Sequence, residues 1–168
     1  MRTPQDKYYR QDVGGAEELV GGFPKTREEL FQYRALILGS VEAASFTPEH
    51  LRMLADFVSK RGGGLLMLGG RRSFAEGGWA GTPVAEVLPI EFDAEKEGRG
   101  NAPEYFTHLN VKPTRAGSVF PVTQLAATEQ ESTAHWNSMP TVSSVNQVRA
   151  VKRGATVLLN GATEDRRE

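Results

Sequence analysis

The chain has 168 residues and no cysteine. That absence excludes disulfides, thiolate metal sites and thiol nucleophiles. It leaves the redox compartment open, since a cysteine-free chain tolerates either. Histidine is scarce: His50, His108 and His135 have no metal-ligand spacing. No metal and no cofactor is therefore expected. Charge of one sign is also missing, with 20 basic and 21 acidic residues and a net charge of -1. Nothing global draws the chain to nucleic acid or to an anionic membrane. No apolar run approaches the ~20 residues of a membrane span. Residues 1–10 are charged and polar, and no signal-peptide core follows them. The chain reads as soluble, with no nucleic-acid partner and no direct membrane insertion.

Glycine is plentiful and is placed as punctuation. Gly62-Gly63-Gly64, then Leu65-Leu66-Met67-Leu68, then Gly69-Gly70 read as turn, buried strand and turn. The strand has no polar residue, so both of its faces are expected to be covered, as in the middle of a parallel sheet. Residues 35–38 form another apolar strand, ending at Gly39-Ser40. Between the two, Thr47-Pro48 starts a helix in which Leu51, Leu54, Ala55 and Val58 recur at helical spacing. Met53 and Phe57 widen its apolar face, and Gly62 stops it. Strand, helix and strand make a βαβ unit with a right-handed crossover. Thr26 with Glu29 marks a capping box, with Phe23 as a staple residue, and Thr82-Pro83 starts a short helix that Pro89 ends.

The remainder is less regular. Residues 1–24 form a peripheral segment, 25–90 the core block, 91–104 a polar loop, and 105–168 the remaining strands and a C-terminal segment of a single domain. Within the last part, 105–111 and 118–125 read as strands or extended segments, 131–136 is ambiguous, and 155–159 is a strand followed by an Asn160-Gly161 turn. Three clear strands are few for a sheet. Either weaker segments complete it, or the domain is truncated at both ends.

Open α/β sheets bind ligands beyond the carboxyl ends of their strands. Here that place holds Gly39, Ser40, Gly69, Gly70, Arg71, Arg72 and Ser73. One reading is a cradle of backbone N–H groups with two guanidiniums, suited to phosphate or carboxylate. The other is a tight turn whose glycines serve positive φ or close packing, with the arginines in water. Phe74, Glu76 and Trp79 in the following loop read as a lid or partner contact, or as loop anchors. Glu76 is the nearest acid in sequence to the arginines and can pair with them. Ser40 lacks a base nearby in sequence, as a serine nucleophile requires. Arg149, Lys152 and Arg153 read as a solvated basic turn.

The block from Lys25-Thr26-Arg27 through Tyr33-Arg34-Ala35-Leu36-Ile37-Leu38-Gly39-Ser40, Gly62 to Phe74, and Gly77-Gly78-Trp79-Ala80-Gly81-Thr82-Pro83 resembles a known family. It is similar to the glutamine-amidotransferase-like domain of bacterial membrane-associated proteins that often carry von Willebrand A modules. The resemblance implies a class I amidotransferase-like, flavodoxin-like three-layer α/β sandwich with a mostly parallel sheet. In active relatives a cysteine sits on a sharp turn after a central strand, and a histidine and a carboxylate follow later. By that likeness Gly69 or Gly70 stands at the nucleophile position, and the later pair has no counterpart. The expectation is a degenerate, non-catalytic domain without glutaminase activity. It would act as a binding or scaffolding module, self-associating or contacting the rest of a larger envelope-associated protein. The alternatives are a small-anion or small-ligand sensor using residues 69–73, and a cysteine-independent hydrolase acting through Ser40 or a carboxylate.

Overall fold

The computed structural model describes residues 11–92 and 106–163. Residues 93–104 of the polar loop, residue 105, the first ten residues of the peripheral segment and residues 164–168 lie outside the described residues. Helix α1 is Arg27–Leu30, and Thr26 Oγ1 accepts the Glu29 N–H at its start. It spans a single turn. The Glu29 carboxylate accepts the Lys25 N–H (2.8 Å) in the place of the reciprocal bond to the cap residue. Strand β1 (Ala35–Leu38) and strand β2 (Gly64–Met67) flank helix α2 (Pro48–Ser59). Thr47 caps α2 by accepting the His50 N–H, and Pro48 needs no partner in the first turn. Gly62 ends this connection at φ 75°, a conformation that a Cβ would strain.

β1 and β2 pair in parallel, Ala35 opposite Gly64 through Leu38 opposite Met67. The expected βαβ unit is therefore present. Among the described residues its core lies on one side only. Leu38, Leu54, Trp79, Val84 and Leu88 form one buried cluster, with Leu36, Leu65 and Met67 packed against it. Leu30, Met53 and Phe57 form a second, and Phe23 joins both. Phe23 meets Phe46 edge-on with ring centroids 5.2 Å apart. The opposite face corrects the expectation of a doubly covered strand: Ile37 is 67% exposed and its cross-strand partner Leu66 52%.

Helix α3 (Pro83–Val87) follows, capped by Thr82. Strand β3 (Ile90–Glu91) then pairs antiparallel with β6 (Ala150–Val151). Lys152 is not a free surface cation. Its Nζ donates to the Ala85 and Glu86 carbonyls (2.7 and 2.9 Å), closing the end of α3. Strand β4 (Phe106–Pro113) is central to a third sheet, between β5 (Val142–Ser144) and β7 (Leu159–Ala162), both antiparallel to it.

These strands correct several expectations. Among the described residues only β1 and β2 are parallel, so three small sheets take the place of one mostly parallel sheet. The last strand begins at Leu159, and Asn160 and Gly161, read as a turn, pair with Lys112 and Val111. Residues 155–158 precede it as irregular chain. Thr114 holds them there, its N–H donating to the Leu158 carbonyl and its hydroxyl to that of Val157. Residues 118–125 hold two 3₁₀ turns, Gly117–Val119 and Pro121–Thr123, rather than a strand. The ambiguous 131–136 segment lies in helix α4 (Glu129–Ser138). α4 has no clear apolar face and docks through polar contacts: Trp136 Nε1 donates to the Thr123 carbonyl (2.9 Å), and the buried Ser132 Oγ accepts the Leu125 N–H (3.0 Å).

Candidate functional site

The carboxyl ends of β1 and β2 lie side by side, so the two glycine turns meet as expected. Gly70 packs on Ser40: a Cβ added at Gly70 would sit 2.5 Å from Ser40 Oγ. Glycine is needed here for close approach and not for φ, since neither Gly69 nor Gly70 has positive φ. Ser40 Oγ accepts the Arg72 N–H (3.3 Å), and the fully buried Ser73 donates its hydroxyl to the Gly39 carbonyl (3.4 Å).

A residue that sequence reasoning did not single out closes the turn. Asn146 Oδ1 accepts the Gly70 N–H (2.8 Å), and its Nδ2 donates to the Gly70 carbonyl (2.9 Å). Nδ2 also donates to Glu76 Oε2 (2.9 Å), while the Gln147 N–H donates to Glu76 Oε1 (3.0 Å). Glu76 is therefore buried and bound to the 146–147 segment, not to the arginines. Arg72 instead lies 3.5 Å from Glu42, and Arg71 stacks over the Phe106 ring, 5.1 Å from its centroid. Two of the amides read as an anion cradle, those of Gly70 and Arg72, thus donate within the protein, and Ser73 N–H donates to the Gly70 carbonyl.

Trp79 is fully buried and anchors the loop. Its indole N–H donates to the Val41 carbonyl (2.9 Å), tying the loop to the end of β1. Phe74 is the strained residue of the loop. It has φ 54° and ψ -141° at the head of the 3₁₀ turn Ala75–Gly77. Such backbone is costly for a residue with a Cβ, by about 1–3 kcal/mol. The Phe74 phenyl ring packs edge-on to that of Phe92, with centroids 6.0 Å apart.

The histidines lie elsewhere. His50 faces Phe23 (centroids 5.1 Å apart), His108 is on β4 and His135 is in the last turn of α4. Among the described residues no histidine bonds to Ser40, and no cluster of three His, Asp or Glu side chains could hold a metal ion. The groups with displaced pKa values are also distant from this turn. The Tyr33 hydroxyl and the Gly14 N–H hold the Glu18 carboxyl below its ordinary value, and Tyr33 is raised by the same bond. Asp56 is lowered by Lys60 and by Arg27.

Over residues 4–161 the sequence matches the family described as "Putative glutamine amidotransferase". The chain belongs to this family. Among solved structures it is similar to a cytoplasmic protein from Salmonella typhimurium, with a TM-score of 0.62 and 22% identity. That match covers 83% of this chain and 56% of the Salmonella protein, so the chain spans little more than half of that relative's length. The likeness is one of fold. No curated protein matches the chain. Among the described residues no helix is long and apolar enough to cross a membrane.

Proposed function

We propose that this amidotransferase-like chain is a non-catalytic binding or scaffolding module. The observation that carries the reading is the turn after β2, where Gly69 and Gly70, at the place the family likeness gives to the nucleophile, carry no side chain. Hydrolysis of an amide through a covalent intermediate needs a nucleophile, a base and oxyanion donors. The sequence has no thiol. Ser40 Oγ accepts a backbone N–H, and no histidine bonds to it among the described residues. The Gly70 N–H, an amide of the sort that could face an oxyanion, is bound to Asn146. The same internal bonds favour a structural role for residues 69–73 over a small-anion sensor. Ammonia release from glutamine by the purified chain is expected to equal the protein-free background. Release above background that disappears on changing one side chain would overturn the reading.

A further inference from the structure

Among the described residues one edge of β2 is unpaired, and that edge opens into a groove. The Gly64 N–H donates to the Arg34 carbonyl and the Leu68 N–H to the Leu38 carbonyl, so even-numbered residues of β2 bond to β1. In a strand the groups of intervening residues point the other way. The N–H and C=O groups of Leu65, Met67 and Gly69 therefore turn away from β1, and none has a hydrogen bond among the described residues. β2 carries no charge, proline or bulge over residues 64–69, the devices that normally protect an edge.

This edge forms one wall of a groove of about 940 Å³. The other wall is β5 with the chain continuing to Val148. β5 is itself the edge strand of its sheet, paired only with β4 among the described residues. Apolar side chains line both walls. Leu66 on β2 is 52% exposed, and Val142 and Val148 opposite are 41% and 44% exposed. Asn146, clamped to Gly70, closes one end.

We infer that the groove between β2 and β5 takes an extended polypeptide strand from a partner, added along the free edge of β2, with apolar side chains at alternate positions. The inference rests on the binding-module reading and names its site. The main-chain edge dictates the occupant. An apolar small molecule would fill the space, shut water out and leave the Leu65 and Met67 amide and carbonyl groups unpaired, which is unfavourable. An added strand pairs every second residue with those groups and presents alternate side chains to the walls.

The probe is an acetylated, amidated peptide, Lys-Val-Thr-Val-Thr-Val-Lys, with a control carrying proline at both threonines, which cannot form a ladder. Amide exchange is read by NMR on the whole chain. Without peptide, Leu66 and Leu68 amides are expected to be protected and those of Leu65 and Met67 to exchange freely. Saturating peptide is expected to slow Leu65 and Met67 exchange by about tenfold or more, and the proline control is expected to leave it unchanged. Val142→Lys and Val148→Lys, both at exposed positions, should abolish the slowing while the melting temperature holds. Equal effects of peptide and control, or none from either, would overturn the inference. So would Leu65 and Met67 protection that rises with protein concentration in the absence of peptide, which would assign the groove to a second copy. Failure on any of these counts leaves the ammonia assay untouched, so the two readings fail separately.

Discussion

Replacing Asn146 by aspartate tests the clamp that closes the turn after β2. The change keeps an oxygen to accept the Gly70 N–H but removes both N–H donors of the amide. One lost bond runs to the Gly70 carbonyl and one to the buried Glu76 carboxylate. A neutral bond contributes about 1 kcal/mol and a bond to a charged group about 1.5–3 kcal/mol. The new carboxylate also lies where Nδ2 now sits, 2.9 Å from Glu76 Oε2, and like charges at that distance repel. The expected loss is about 3–4 kcal/mol, a large share of the roughly 5–15 kcal/mol typical of a domain. Adding Glu76→Gln reverses donor and acceptor. The new Nε2 can donate to the carboxylate introduced at position 146, while Oε1 still accepts the Gln147 N–H. The double variant should recover about 1.5–3 kcal/mol relative to the sum of the singles. Urea unfolding of all four proteins, at a common slope, gives the coupling directly. Additivity within about 0.5 kcal/mol would show that Asn146 and Glu76 do not act as a unit.

Further outcomes rest on the same geometry. Trp79→Ala should destabilise by about 3–5 kcal/mol in urea melts, through lost core volume and the lost bond to Val41. Gly70→Ala should cost about 1–3 kcal/mol by pressing on Ser40, and Ser40→Gly in the same chain should restore much of it in thermal melts. Phe74→Cys and Gly70→Cys should leave ammonia release from glutamine at background, since among the described residues no histidine bonds to the turn; release from either variant would contradict the placement of the histidines. The lowered Asp56 and Glu18 carboxyls stabilise the fold above their unfolded-state values, and that stability is lost as pH falls through the folded values. Tyr33, raised by Glu18, acts oppositely: its contribution is present below the usual phenol range and is lost as pH rises through the folded value. Asp56→Asn and Tyr33→Phe should each flatten their own limb of a stability profile against pH.

The elements legible in the sequence are those that local chemistry specifies. Thr26, Thr47 and Thr82 each cap a helix through a neighbour three residues on, and Pro48 and Pro83 occupy first turns. Gly62 takes the left-handed conformation that ends the crossover. Two apolar runs around an amphipathic helix specified the parallel pair, and their carboxyl ends brought Ser40 to Gly70. What tertiary structure alone decided involves partners distant in sequence. α4 has almost no apolar stripe, and its place depends on Ser132 and Trp136 reaching backbone groups of the preceding turns. Asn160-Gly161 carries a turn signal, yet pairing with Lys112 and Val111 of β4 makes it strand, because ladder bonds to a distant segment outweigh local preference. The clamp of Asn146 on Gly70 joins residues 76 apart. No local pattern marks an asparagine for that task, because its bonds exist only once the chain has folded back beside β2.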